Sequence, residues 1–488
     1  MILFGIPEAV QRFVRPVLAP LSRPIRNALP AMMLALLLAP HRRCLKTLAG
    51  LVLGCRRHAS TISRRLRNAC WRTRDWYLAL YNRSLEETHT WERRCARRAG
   101  LTKRQWIAIL DTTFHSTQAE QMENLIHRSR RHDPNRRSSQ QHAFVMGLLL
   151  TNCGARLPLP RRSYYTKDYC RRYRRRFRTQ VQLAAALLRD IRLPEDVELT
   201  VVFDSAFDAA AIHRVCRQCN YRAVFPLDPN RTLSAGPAVD AAGLAGQKVV
   251  AWTRDWCRDE FALLALQYAN EDHVFWRRRH RDNLRRRKTY RHYALAARPA
   301  TVSNLGTCLV VASYKENPRV QFGAGQSADW WDYHRAPIRY RKAGRPAPQR
   351  WHGKVLACTD ATATARQVVE WYEIRWQIEI FFREIKSRLQ FGCYVLHKFA
   401  AVERYLDLLL MGLLLLETER LRDLQAAAVP SERGGEPKLQ ARTTDRLRYL
   451  ERTCQEWNVG VLRQRLRTAA GRERLLRELK RAIPGHVA

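Results

Sequence analysis

The alternation of apolar and polar residues divides this chain into helical stretches and short β-rich runs. Residues 1–100 have helical periodicity, and so do the last fifty or so residues. From about residue 104 onward, apolar β-rich runs alternate with helical sequence. These runs cover residues 106–110, 198–203, 221–227, 308–313 and 355–359. Strands alternating with helices predict an α/β sheet with helices packed on its faces, and the spacing of 198–203 and 221–227 is typical of a β-α-β crossover.

The same pattern predicts five regions. They are a helical region at 1–100 whose many basic residues make it a candidate DNA-binding region, the first part of an α/β core at 101–230, a β-rich insertion at 231–350, the second part of the core at 351–425, and a linker with basic C-terminal helices at 426–488. Within the first region, residues 46–53 and 60–70 flank a turn at Gly54 and are candidates for a helix-turn-helix. A small helical bundle with a basic solvated face is the alternative.

One helical stretch, residues 366–391, combines a buried face, a solvated charged face and a narrow polar stripe between them. With about 100° per residue, Tyr372, Arg375, Glu379 and Lys386 fall on a stripe about 60° wide. The apolar positions fill another sector: Trp371, Ile374, Ile378, Phe381, Phe382, Ile385 and Leu389. The stripe therefore places one carboxylate among two cations and a phenol, at the border of the buried face. An ordinary amphipathic helix with an Arg375–Glu379 salt bridge is the alternative explanation.

The net charge of the chain indicates what kind of partner it binds. The 488 residues include 87 Lys and Arg against 44 Asp and Glu, a net charge of +43. Such a charge indicates a polyanionic partner, and nucleic acid fits better than an anionic membrane surface. Residues 164–178 and 276–293 interleave basic and aromatic side chains, a composition suited to phosphates and unstacked bases. Solvated charged helices are the alternative for both runs.

Cysteine usage and apolar run lengths indicate a soluble cytoplasmic protein. The 13 cysteines have no framework spacing, which suits a reducing compartment. The apolar runs at 29–39 and 408–416 are too short to span a membrane, and the N-terminus lacks the apolar core of a signal sequence. His213, Cys216 and Cys219 resemble half of a zinc site, but buried small residues on a helix explain them better.

Three acidic residues are candidates for metal-dependent phosphodiester chemistry. Asp111 and Asp204 each end a β-rich run, and Glu379 projects from a helix downstream of the last one. Cleavage by two metal ions needs carboxylates that converge from different elements, and hard oxygen ligands suit Mg²⁺.

Other acids fit this role less well. Asp360 is interpreted as a helix N-cap, and Asp208 as a residue one turn into the helix that follows Asp204. Glu373 and Glu384 face solvent by the angle count.

The spacing Tyr372-x2-Arg375-x3-Glu379-x6-Lys386 resembles the YREK signature of bacterial insertion-sequence DDE transposases. The surrounding block YEIRWQIEIFFREIKSRLQFG is similar to the block around that family's catalytic glutamate. Asp204, followed by Ala206 and Phe207, is similar to its second acidic motif, and Asp111 in LDTT resembles the first acid. The similarity spans about 105–420; the rest of the chain matches only in being helical and basic.

This resemblance implies a ribonuclease-H-like mixed sheet with flanking helices, interrupted by a mostly β insertion, plus helical N- and C-terminal regions. It implies that Asp111, Asp204 and Glu379 hold two Mg²⁺ or Mn²⁺ ions, while Tyr372, Arg375 and Lys386 grip DNA phosphates. The implied activity is nicking of element ends and transfer of the 3′-hydroxyl into target DNA. Trp330 and Trp331 are candidates for a base-stacking tryptophan of the insertion.

The implied partners are terminal inverted repeats and target double-stranded DNA, with a homodimer in the DNA complex, in the bacterial cytoplasm and at the nucleoid when bound. Two alternatives remain open: a decayed or repurposed DNA-binding protein, and a hydrolytic nuclease on the same core.

Overall fold

A computed structural model describes most of the chain. The described residues are 6–38, 64, 66–67, 71–98, 104–117, 121–128, 139–228, 230–234, 244–257, 262–267, 290–316, 351–387, 389, 391, 394, 396–427 and 443–482. The first candidate helix of the helix-turn-helix, most of the second, residues 276–289, and Trp330 and Trp331 lie outside them.

The described residues form a mixed α/β fold with twelve α-helices and eleven strands. The helices are α1 Glu8–Leu18, α2 Arg23–Leu38, α3 Thr73–Arg98, α4 Lys167–Arg172, α5 Gln180–Arg189, α6 Ala210–Gln218, α7 Val249–Cys257, α8 Ala365–Ile374, α9 Trp376–Ser387, α10 Phe399–Ala427, α11 Thr443–Leu466 and α12 Ala469–Ala482. The strands are β1 Arg104–Thr117, β2 Ile126–Arg128, β3 Ser139–Leu150, β4 Arg156–Pro158, β5 Arg162–Ser163, β6 Val197–Val202, β7 Arg222–Pro226, β8 Ala262–Gln267, β9 Tyr290–Val302, β10 Gly306–Glu316 and β11 Trp351–Cys358.

The chain divides into two compact units. The first contains residues 1–198 and 376–488, and the second contains residues 199–375. In the first unit, β1 pairs antiparallel with β3, and β2, β4 and β5 also pair with β3. In the second unit the strands follow the order β6-β7-β11-β10-β9-β8, with β6 and β7 parallel and the others antiparallel.

Helix α10 forms the centre of the first unit. Its run from Leu408 to Leu416 is buried, and it packs on α2 and α3 because these helices also carry apolar faces. Gly412 allows a close approach to α2, since a Cβ at this position would lie 2.8 Å from Cδ2 of Leu37. The apolar runs that raised the membrane question therefore pack against each other. Among the described residues, no helix has the length and apolar character needed to cross a membrane.

The predicted β-α-β crossover is confirmed in the second unit. Strand β6 is nearly all buried and rich in β-branched residues, as expected for a strand covered on both faces. Helix α6 follows, Asn220 adopts a positive φ of 54° in the turn, and β7 runs parallel to β6. The strands predicted at 308–313 and 355–359 are also present, as parts of the longer β10 and β11.

Candidate active site

Asp111 lies in the middle of β1, in register with Met146 of β3. The prediction that it ends a strand is therefore wrong. Residues 112–117 continue the strand because their threonines favour extended backbone and β3 supplies a partner for each of them. The carboxylate is half-buried, and its Oδ1 accepts a hydrogen bond from the Thr112 amide at 2.6 Å.

Helix α9 carries Glu379 and packs on β1 in the first unit. Its apolar face is buried as predicted, with Ile378 and Ile385 fully inaccessible. Glu379 and Lys386 are seven residues apart, so they lie within about 20° of each other on the helix surface. Glu379 and Lys386 therefore share one face of α9.

Lys386, on α9, interacts electrostatically with Asp111. Partial desolvation of its ammonium lowers the pKa of Lys386, while the neighbouring carboxylate of Asp111 opposes this shift. The ammonium also lies 5.8 Å from the centre of the Phe382 ring. A cation of the signature therefore stands within electrostatic range of one predicted catalytic acid.

The signature helix is not continuous. It divides at Arg375, whose amide donates to the carbonyl of Tyr372 at 3.0 Å, a contact three residues back. Tyr372 and Arg375 consequently belong to the second unit, while Glu379 and Lys386 belong to the first. Arg375 itself keeps helical dihedrals, with φ −50° and ψ −33°, and no hydrophobic period reveals such a break.

Tyr372 has a partner that the sequence reasoning missed. Nζ of Lys354, on β11, donates to the Tyr372 hydroxyl at 3.2 Å and lies 5.0 Å from the centre of its ring. The guanidinium of Arg375 lies 5.9 Å from the same ring. The second unit thus gathers two cations around this phenol. A lysine within the apolar run of β11 is the one sequence signal that could have suggested it.

Asp204 occupies the predicted position directly after β6. It is the N-cap of a 3₁₀ turn, Ser205–Phe207, and its Oδ1 accepts from the Ala206 amide at 3.0 Å. The residue is half-buried. The polypeptide therefore presents this carboxylate at the carboxyl end of a parallel strand, where ligand sites of α/β sheets form.

Asp208 has a different environment, and its predicted position one turn into a helix is wrong. It precedes α6, and its fully buried carboxylate accepts from His213 Nε2 at 2.8 Å, from Arg231 Nη2 at 2.6 Å and from the Asp228 amide at 3.0 Å. Burial favours the neutral acid, but the hydrogen bonds from His213 and Arg231 outweigh it and lower the pKa of Asp208 to about 2. Its oxygens are committed to this structural cluster, which leaves Asp204 as the better candidate.

The three residues that resemble half of a zinc site lie on α6 or at its end. His213 binds Asp208 through Nε2, Cys216 is buried on α6, and Cys219 follows the helix as its C-cap. The interpretation as small residues packed on a helix is confirmed for Cys216.

Three further acids differ from expectation. The N-cap of α8 is Thr364, which forms a capping box with Gln367, so the N-cap assignment of Asp360 is wrong. Asp360 instead binds Arg222 at 2.9 Å. Glu384 does not face solvent: its side chain is 18% exposed and lies 3.6 Å from Arg156. Glu373 is half-buried rather than exposed. The helical wheel failed here because packing partners from other elements cover part of the polar arc.

The donor set is chemically suited to a hard divalent cation, since Asp111, Asp204 and Glu379 offer only carboxylate oxygens. Asp111 and Glu379 belong to the first unit and Asp204 to the second. Within the described part of the chain, no three His, Cys, Asp or Glu side chains are grouped as a preformed metal site.

A comparison with protein families gives this arrangement a context. Residues 178–415 match a family model described as a transposase DDE domain. A comparison with curated proteins found no match. The matched region includes Asp204, Glu379 and the whole Tyr372–Lys386 spacing, while Asp111 lies ahead of it. The match covers just under half of the chain, and it makes this region similar to the DDE domain of transposases, a family that acts on DNA and generally uses divalent metal ions.

Proposed function

We propose that this protein is a DNA transposase of the YREK insertion-sequence type, which nicks the ends of its element and joins the freed 3′-hydroxyl to target DNA. The observation that carries the proposal is the position of Lys386. It lies on the same face of α9 as Glu379 and within electrostatic range of Asp111, and the signature spacing that contains it is enclosed by the family match. Carboxylates that hold metal ions and a lysine that binds phosphate are the side chains that phosphodiester chemistry needs.

The proposed roles follow from the chemistry of each side chain. Asp111, Asp204 and Glu379 would hold two Mg²⁺ or Mn²⁺ ions, which when bound supply the Lewis acidity that activates water or a 3′-hydroxyl. Lys386 and Arg375 would bind phosphate oxygens beside the scissile bond, and Tyr372 would donate its hydroxyl proton to another. Lys354 would orient Tyr372 through their 3.2 Å contact.

The proposed substrates are double-stranded terminal inverted repeats and a target duplex, with two protomers meeting in the DNA complex. The net charge of +43 supports a DNA partner, because release of counterions favours binding of a strongly basic protein to a polyanion. Sequencing the DNA beside the gene for inverted repeats would supply the substrate for a direct test.

A strand-transfer assay with a terminal-repeat oligonucleotide and Mg²⁺ tests this proposal against its alternatives. Joined product is the expected result. Cleavage without joining would instead indicate a hydrolytic nuclease, and binding without cleavage would indicate a decayed or repurposed DNA-binding protein. The presence of all three acids and of Tyr372, Arg375 and Lys386 favours the active enzyme.

A further inference from the structure

The first unit contains a cavity lined by an unusual number of arginines. Its volume is about 610 Å³, in the range of small-molecule sites. Eight arginines line it, against two acids, Glu403 and Asp407. Neither Asp111, Glu379 nor Lys386 contributes to its walls.

The two acids of the cavity are already occupied by structural contacts. Asp407 accepts from Arg161 Nη2 at 2.9 Å and from the Thr73 hydroxyl at 2.8 Å. Glu403 accepts from the hydroxyls of Ser163 at 2.7 Å and Tyr165 at 2.8 Å. These contacts hold the wall of the cavity together and tie each acid to neighbouring side chains.

The remaining arginines are incompletely neutralised. Two of them pair with acids outside the wall, Arg72 with Asp75 and Arg162 with Asp190. Even when these two acids and the two of the wall are counted against the eight arginines, four positive charges remain.

Two arginines of the wall, Arg74 and Arg162, have a pKa lowered by burial and by neighbouring cations, whereas the nearby carboxylates raise the pKa of Arg161. Burial, together with Arg74 and Arg178, lowers the pKa of Arg162 to about 10. Burial and Arg161 likewise lower the pKa of Arg74, whose Nη1 donates to the carbonyl of Arg161 at 2.8 Å. Such a cluster is stabilised when an anion binds within it.

Two further features indicate that this anion carries phosphate. Thr73 and Arg74, in the first turn of the 26-residue α3, line the cavity, and the N-terminus of a helix attracts anions. The Nε atoms of Arg161 and Arg162 are buried without a hydrogen-bond partner among the described residues. Two arginines that line the cavity therefore keep a donor that no described residue accepts, in addition to the net charge.

The rim of the cavity extends into an exposed basic surface. Arg176 and Arg178 line the cavity, are exposed, and form no hydrogen bond or ion pair with a described residue. Exposed Arg171, Arg172 and Arg174 continue the same segment. A small free anion would contact only the cavity, whereas the phosphate backbone of DNA would contact both the cavity and this exposed surface. The continuous basic surface therefore favours DNA over a small anion.

We propose that this arginine cavity binds a backbone phosphate of DNA as a second anchoring point, apart from the acids of the candidate active site. The proposal deepens the proposed function and rests on DNA being the substrate. The shared chemistry is a phosphate group, and the competing source is a free polyphosphate.

The test compares two double variants that remove the same charge. Arg176→Ala/Arg178→Ala alters the rim of the cavity, and Arg189→Ala/Arg192→Ala removes two exposed arginines from the end of α5 and the residues after it, outside the cavity wall. Affinity for a fluorescent 30-base-pair duplex is measured by anisotropy at several salt concentrations without Mg²⁺. We expect the rim variant to bind about tenfold more weakly than the control variant, with a salt slope shallower by about 2.

Inorganic pyrophosphate provides the second arm. It should displace duplex from the wild type and raise its unfolding temperature, and do both less effectively for the rim variant. Equal DNA affinities of the two double variants would overturn the proposal. If pyrophosphate stabilises the wild type while those affinities are equal, the cavity serves a free polyphosphate and the DNA assignment is wrong.

The proposal for the cavity and the proposal for catalysis can be contradicted independently of each other. A wild type that binds but never nicks, with weaker binding by the rim variant, would contradict only the catalytic proposal. Normal nicking with equal affinities of the two double variants would contradict only the cavity.

Discussion

Asp204 and Asp208 are close in sequence, but their carboxylates differ in burial and in hydrogen-bond partners. Asp208 is buried and bound by Arg231 and His213, whereas Asp204 caps a short turn at the end of β6. Asp208 therefore stabilises the second unit, whereas Asp204 is the candidate for metal binding. Sequence alone placed Asp204 correctly, because an apolar β-branched run ending in Asp marks a strand end, but it could not identify Arg231 as the partner of Asp208.

Asp208→Asn should destabilise the protein by at least about 2 kcal/mol, because it leaves the largely buried Arg231 without its anion. Asp204→Asn is the matched control: asparagine is an equally good cap, so unfolding in urea should change little. Equal effects of the two substitutions would contradict these assignments.

The depressed pKa of Asp208 also predicts an acid-dependent stability. A carboxyl group whose pKa falls from 3.8 to about 2 on folding contributes stability that is complete above about pH 4 and is lost as the pH falls toward 2. The contribution is about 2 kcal/mol. Urea unfolding at pH 5, 4 and 3 should therefore show a steeper loss for the wild type than for Asp208→Asn. Parallel curves would show that Asp208 has an ordinary pKa in the folded state.

Lys386 and Arg375 are predicted to contact phosphates. Lys386→Ala or Arg375→Ala should weaken binding of element ends, slow joining, and reduce the slope of log affinity against log salt by about 1 each. Arg366→Ala is the control, since Arg366 is exposed and pairs with Glu370 on the solvated side of α8. Salt slopes equal to that of the control would mean that neither side chain reaches a phosphate.

At the scale of helices and strands, the sequence was most informative where the spacing of apolar residues within one element determines the structure. The buried face of α9 and the β6-α6-β7 crossover follow from local patterns, and both are confirmed. The length of β1 and the division at Arg375 were missed because they depend on pairing with β3 and on the division of the chain into two units. The pairing of Glu384 with Arg156 was missed for the same reason: the partners are more than two hundred residues apart.

The close contact between α2 and α10 gives a prediction at this scale. Gly412→Leu should destabilise the first unit by about 1–3 kcal/mol, because the new side chain would occupy the place of Leu37. Gly460→Leu on α11 is the control, since nothing lies within 4 Å of a Cβ there and leucine favours helix more than glycine does. Thermal unfolding of both variants checks this, and a Gly412→Leu protein as stable as Gly460→Leu would rule out the close packing.

At the scale of the whole molecule, the net charge indicated a polyanionic partner but not where it binds. The arginine cavity illustrates this, since its wall combines residues 71–74, 161–183 and 400–407. The basic run at 164–178 was visible in the sequence, yet its neighbours in space were not. The candidate active site has the same property: its three acids are recognisable from local motifs, whereas local motifs carry no information on the distances between them.

Cleavage of a terminal-repeat duplex in Mg²⁺ by the wild type and by Asp111→Asn, Asp204→Asn and Glu379→Gln tests the joint action of these acids most directly. The account predicts that each single substitution abolishes nicking, that combining two costs no more than one, and that DNA affinity stays close to that of the wild type. Near-normal nicking by any one of the three variants would contradict it.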